Sequence, residues 1–387
     1  MVPKVRETNY IKLKILHLSH NSLPDWRIEK AALTAKKEGH DVLFVGNQGS
    51  LYENKLFTKI YSINWKSETN LGIFPYWYHL RKQIEKIIKR SSPDIIHAHN
   101  IVAAKMASEF KIPYIYDNHE YASLYARNQG ERKVKKNNSK LQNFEIIKDK
   151  VRRRIVIKRL IDLWTRWEIE VISSVPTITV SHSILNELKK LGTTKEIFVV
   201  PNYPLENENF FKEQKKFQEL SCVYAGSESA KYVAAYRNID GFISLFEDNN
   251  IGKLNIIGID GKSSKNVFFK KFLPRRSMFN EMANCSIGII PWKKHWSHKY
   301  MNPNKPYEYA YSGLLVLCIS DLSEVINTFQ GYCDTFNDYS ELVTKLNYYQ
   351  NNLNELYDKR KKGYEFAKKN LIWENYEKNI LNAYKLC

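Results

Sequence analysis

The sequence predicts an α/β protein made of two doubly wound lobes in tandem. Three observations carry this: the length of the chain, an alternation of apolar runs with helix-like stretches, and a break in that rhythm near the middle. At 387 residues the chain exceeds what one hydrophobic core organises, because single cores stop growing at about 250–300 residues. Apolar runs at 13–18, 41–45, 94–97, 114–116, 177–180 and 197–200 do not alternate with polar residues. They read as parallel strands buried on both faces by the helices between them. A polar stretch over 205–220 follows and reads as a hinge. Four further runs at 221–225, 254–257, 286–290 and 315–319 restart the pattern, and a helical run extends from Tyr339 to the end.

Composition narrows the partners. Sixty Lys+Arg against 41 Asp+Glu give a net charge of +19, so the protein should attract something anionic: nucleic acid, a membrane surface or a phosphorylated substrate. Residues 131–166 hold thirteen Lys+Arg and four acids, nearly half the excess. Within them and just beyond, Val156, Leu160, Leu163, Trp164, Trp167 and Val171 fall at helical spacing. That pattern fits an interfacial helix on an anionic membrane, or a domain helix whose stripe is core and whose charges are solvated. Five well-separated cysteines without a Cys-x-x-Cys pair read as reduced cytosolic thiols. With no long apolar stretch and no signal-peptide core, the expected location is cytoplasmic, with possible peripheral attachment at the inner membrane face.

The segment Met301 to Gly313 is the most informative. Asn304 reads as the N-cap of a two-turn helix, Pro306 suits its first turn, and Gly313 the left-handed position after its end. Lys305 opposes the helix dipole unless an anion such as a diphosphate binds there. The loop 291–300, ending at Tyr300, mixes cations with aromatics and is either a lid or a solvated loop. His97 and His99 share a strand face and, with Asp117 and His119, could hold zinc.

The series Pro303-Asn304-Lys305-x-x-Glu308-Tyr309-x-x-x-Gly313, followed by a strand and Ser320-Asp321-Leu322, resembles the donor-binding signature of family 4 retaining glycosyltransferases. Further phrases match in order: Lys14-Ile15-Leu16-His17, Asp25-x-Arg27, Lys37 to Val42, Pro93 to His99, Tyr116-Asp117-Asn118-His119-Glu120, Thr177 to Ser181, and Val200-Pro201-Asn202. The resemblance implies the GT-B fold, two Rossmann-like domains facing each other across a cleft. Residues 1–203 would form the acceptor domain, 204–370 the donor domain, and 371–387 a helix packing back on the first.

The resemblance further implies that Glu308 accepts the ribose hydroxyls of a nucleotide-sugar and that Arg237, Lys305 and Asn304 hold its diphosphate. His119 would be the catalytic histidine near the sugar and phosphate. Tyr300 stands where many relatives have a second Glu, and Ser227 where they have a diphosphate-clamping Arg; both are candidates for the donor sugar or its loop. Phe272-Leu273-Pro274 resembles the loop near the nucleobase. Glu308→Ala should then abolish stabilisation by a donor while leaving the unliganded melting point nearly unchanged.

The implied reaction is sugar transfer from a nucleotide-diphosphate sugar to a glycan, lipid-linked or polymer acceptor, retaining and metal-independent. No cofactor is called for beyond the donor as co-substrate, and the sequence has no Asp-x-Asp. Two other classes fit the charge or fold: a basic nucleic-acid- or scaffold-type binding protein, although no nucleic-acid signature is visible, and a nucleotide-sugar epimerase.

Overall fold

The computed structural model describes residues 12–47, 55–65, 74–124, 127, 140–209, 211, 218–226 and 235–387, with the backbone alone at 74, 140–154 and 235. Ser227 lies outside the described residues. Two wholly parallel sheets account for the two sets of apolar runs. The first contains β1 (Lys14–Ser19), β2 (Asp41–Asn47), β3 (Lys59–Ile63), β4 (Ile95–His99), β5 (Tyr114–Asn118), β6 (Thr177–Thr179) and β7 (Ile197–Val199) in the order β3-β2-β1-β4-β5-β6-β7. Between them run α1 (Trp26–Lys37), α2 (Phe74–Ser91), α3 (Asn100–Ala107), α4 (Lys140–Ser174) and α5 (His182–Lys190). The start of α1 shows the local cause: Asp25 is extended and its carboxylate accepts from the amides of Arg27 and Ile28.

The second sheet comprises β8 (Ser221–Ala225), β9 (Lys253–Ile257), β10 (Val267–Lys270), β11 (Ile287–Ile290), β12 (Leu315–Ile319) and β13 (Asp334–Phe336), ordered β10-β9-β8-β11-β12-β13. Its helices are α6 (Asp240–Asp248), α7 (Arg275–Met282), α8 (Lys305–Tyr311), α9 (Ser323–Phe329), α10 (Tyr339–Asn351), α11 (Leu353–Asn370) and α12 (Glu377–Lys385). Strand order reverses between β1 and β4 and between β8 and β11. In open parallel sheets such switch points leave a crevice at the carboxyl edge.

All ten predicted strands are present. β3, β10 and β13, the additional ones, are edge strands with partly exposed residues, so they lack the continuous apolar run that marks a central strand. The end of the chain returns to the first lobe. Trp373, Ile380, Ala383 and Tyr384 are buried in the same core as Ile15, Ile28 and Val200, and Trp373 Nε1 donates to Thr34 at 2.9 Å.

The stripe on α4 divides. Trp164 and Val171 are buried, and Leu160, Leu163 and Trp167 pack on the first-lobe core, which is the domain-helix reading. Ile155 and Val156 remain exposed. Among the described residues no helix is long and apolar enough to cross a membrane.

Candidate functional site: two carboxyl edges in contact

The loop leaving the carboxyl end of β11 leads into α8. Gly313 takes the predicted left-handed conformation at φ +76°. Asn304 occupies the N-cap position but is itself helical, at φ −66° and ψ −32°, and its side chain makes no cap bond; its carbonyl instead accepts from the amides of Tyr307 and Glu308. Lys305 does not stand unpaired against the helix dipole, because its ammonium lies 3.1 Å from Glu308. The other Glu308 oxygen accepts from Arg275 at 2.8 Å, and Arg275 also holds both oxygens of Glu208. Glu308 is 1% exposed. Burial alone would raise its pKa, but the charges of Lys305 and Arg275 outweigh that and hold it at about 2. A carboxylate has about four acceptor positions, so these partners leave capacity for hydroxyl donors.

Arg275 and Glu208 were not singled out in the sequence. Arg275 directly follows the Phe272-Leu273-Pro274 loop, whose Phe272 is 81% exposed. A cation there gains meaning only once the fold brings it to a glutamate 33 residues away.

Arg237 lies beside the 291–300 loop. Its guanidinium sits 4.8 Å from the ring centre of Trp292, and its buried Nε has no hydrogen-bond partner among the described residues. The loop is built into the protein: Trp292, Ser297 and His298 are buried, and Asp321 accepts from His298 Nδ1 and from the His295 amide, each at 2.8 Å. This excludes the solvated-loop reading.

In the first lobe His119 follows β5 and lines a cavity of about 170 Å3 with His20, Asn21, Asn100, Glu120 and Trp164. Behind it lies a buried polar cluster. Arg27 grips Asp117 through Nε and Nη2, the latter at 2.6 Å, and donates through Nη1 to the Val200 carbonyl and to Asn202. Burial opposes the Asp117 charge, yet Arg27 prevails and keeps its pKa well below the usual range. His97 bridges Asp117 at 3.3 Å and the Tyr384 hydroxyl at 2.8 Å. His17, His97 and His99 form one group with nitrogen atoms within 4.8 Å, and His99, Asp117 and His119 another with ligand atoms equally close. His97 stacks on His99 with ring centres 4.3 Å apart, while the nitrogens of His17, His99 and His119 are turned to one another in a hydrogen-bonded chain.

Glu168 of α4 secures the turn that carries His119. It accepts from Asn118 Nδ2 at 3.0 Å, the Tyr116 hydroxyl and the Ala122 amide. Full burial raises its pKa to about 8, so it is largely protonated at neutral pH.

The two edges touch. Asn302 donates to the Val180 carbonyl at 2.7 Å. The rings of Tyr121 and Tyr300 lie 6.4 Å apart, and Arg127 covers Trp296 at 4.3 Å. Glu324, in the first turn of α9, accepts from the amides of His182 and Ser183 at 2.8 and 3.1 Å and from the Ser183 hydroxyl. One carboxylate of the second lobe thus satisfies the open end of α5 in the first. Tyr300 is therefore on the cleft side, and α8 begins just after the interlobe contact at Asn302.

Among curated proteins no relative matches the chain. Solved structures with similar folds include sucrose-phosphate synthase from Thermosynechococcus elongatus, with 11% identity, 97% of this chain and 98% of that one covered, and a TM-score of 0.71. Anabaena HepE in complex with UDP-glucose gives 10%, 96%, 99% and 0.60. WaaG, a glycosyltransferase involved in lipopolysaccharide biosynthesis, gives 14%, 95%, 98% and 0.62. These likenesses speak for the fold, and the model of Glycosyltransferase Family 4 matches residues 28–203 directly. Over those residues the chain is similar to Glycosyltransferase Family 4, and the GT-B fold of the solved structures spans both sheets.

Proposed function

We propose that this glycosyltransferase binds a nucleotide-diphosphate sugar against the second lobe and passes the sugar, with retention and without metal, to an acceptor held by the first. The observation that carries the reading is the Lys305–Glu308–Arg275 group at the carboxyl edge of its sheet, facing the edge that bears His119. Glu308 receives the ribose hydroxyls. Lys305 and Arg237 offset diphosphate charge, with the backbone at Asn304 beside them, and electrostatic stabilisation of that kind accelerates departure of a charged group. The anomeric carbon–phosphate oxygen bond breaks, a glycosidic bond to the acceptor hydroxyl forms, and the hydroxyl's proton leaves with the phosphate. His119 donates a hydrogen bond to the departing phosphate, Tyr300 lines the sugar, and closed lobes exclude water as a competing acceptor.

UDP-glucose, the ligand of the Anabaena structure, is the first donor to test. The basic stretch 131–166 is assigned to holding the enzyme near an anionic lipid-linked or polymer acceptor. A thermal-shift panel of nucleoside diphosphates and nucleotide-sugars tests the donor site: a ligand at 100 times its dissociation constant stabilises by about 2.7 kcal/mol. Absence of any shift across the panel would refute the site. Donor turnover without added acceptor, giving an epimerised nucleotide-sugar, would favour an epimerase. Salt-sensitive oligonucleotide binding without donor binding would favour the binding-protein reading. Flotation with liposomes rich in anionic lipid is expected for the full chain, and equal recovery with neutral vesicles would remove the membrane assignment.

A further inference from the structure

Three imidazoles line up behind the cavity. His17 Nδ1 lies 3.0 Å from His99 Nε2, and His99 Nδ1 lies 3.0 Å from His119 Nε2. His17 and His99 are fully buried, and burial lowers the pKa of both, so each is neutral with a single N–H. Each link needs one donor and one acceptor, which leaves two uniform directions for the chain.

Its ends choose between them. If His119 donates inward, His99 must donate to His17 through Nε2, and His17 must carry its hydrogen on Nε2. That atom is buried and has no hydrogen-bond partner among the described residues. A buried N–H without an acceptor is rare and costly, whereas a bare imidazole lone pair is the lesser loss. The same direction would also turn a lone pair of His99 Nδ1 toward Asp117 Oδ2, 3.4 Å away. In the opposite direction that contact is N–H to carboxylate. His119 Nε2 lies farthest from Asp117 Oδ2 of the three nitrogens around it, at 3.5 Å against 3.3 Å for His97 and 3.4 Å for His99, as expected for the one without hydrogen.

We propose that His99 is a positioning residue that fixes His119 in its Nδ1–H tautomer, so that the ring presents a hydrogen-bond donor to the cavity. Arg27, through Asp117, and His17 set the direction of the chain. The assignment rests on the reading of His119 as the group beside the departing phosphate, and it explains how the ring's outward nitrogen is kept a donor there.

The test is long-range proton–nitrogen correlation NMR on the full chain labelled with 15N-histidine, with His119 assigned by the loss of its signals in His119→Gln. The expected result is hydrogen on Nδ1 and a bare Nε2. In His99→Phe, which keeps a stacked ring, His119 should move to the Nε2–H form common in free imidazole, with kcat down about tenfold and the donor KM within twofold. In His99→Asn the amide nitrogen stands near the lost Nδ1, and both the tautomer and kcat should largely return. An Nε2–H tautomer in the unmodified protein, an unchanged tautomer in His99→Phe, or a metal ion found between His17 and His99 would overturn the proposal. Full activity of His119→Gln alongside the expected tautomer would overturn the functional reading of His119 and leave the tautomer assignment standing.

Discussion

Glu308→Gln removes one charge from the centre of the donor site without changing the volume of a side chain that is 1% exposed. Its carboxyl moves from an ordinary pKa of 4.5 to about 2 on folding. At roughly 1.4 kcal/mol per pH unit, ionised Glu308 therefore contributes about 3 kcal/mol at neutral pH. The folded value is the lower one, so the contribution is complete above about pH 4.5 and disappears as pH falls through about 2. Urea unfolding of the two proteins should differ by about 3 kcal/mol at pH 7 and by about 1 kcal/mol at pH 3. Equal differences at the two pH values, or a variant more stable at pH 7, would show that the Lys305 and Arg275 pairs do not outweigh the cost of burial, and the electrostatic account of the site would fall.

Asp117→Asn should be more damaging, since it leaves the 4%-exposed Arg27 side chain buried without its counter-charge; a loss of about 3–5 kcal/mol is expected by denaturant unfolding, and a loss under 1 kcal/mol would contradict the buried pair. Glu168→Gln should do the reverse. Its folded pKa of about 8 exceeds the ordinary 4.5, so the native state loses stability as pH rises from 4.5 to 8, and the variant should gain about 4 kcal/mol over the unmodified protein at pH 8 and almost nothing at pH 4.5. A pH-independent difference would refute it. Glu324→Ala should cost about 1–3 kcal/mol and speed hydrogen exchange at the amides of His182 and Ser183; unchanged exchange would show that water already serves them.

Much of the fold was legible because central parallel strands are unbroken apolar runs, and these fell where the sequence placed them. α8 was legible from Pro306 and Gly313, two residues whose backbone restrictions act locally. Asn304 misled because a residue that commonly caps can also begin the helix itself. Glu308 read as removable without cost to the unliganded protein; its burial between Lys305 and Arg275 reverses that. His97, His99, Asp117 and His119 were visible as a group through strand alternation and adjacency. His17 and Tyr384, which complete the cluster from β1 and α12, were not, because register between distant strands and the docking of a returning helix leave no trace in spacing. Glu168 was hidden for the same reason, one of five acids on a helix noted for its bases.

The Glu324 carboxylate gives the two lobes a shared degree of freedom. Ser181 already serves the third amide of α5, so the first two rely on an oxygen pair carried by the other half of the protein. Prying the halves apart therefore exposes that helix's leading turn, and fraying and hinge motion become a single event rather than two. A substrate that must enter between the lobes would meet this coupling first, and the mobility of nine residues on the rim would register its passage.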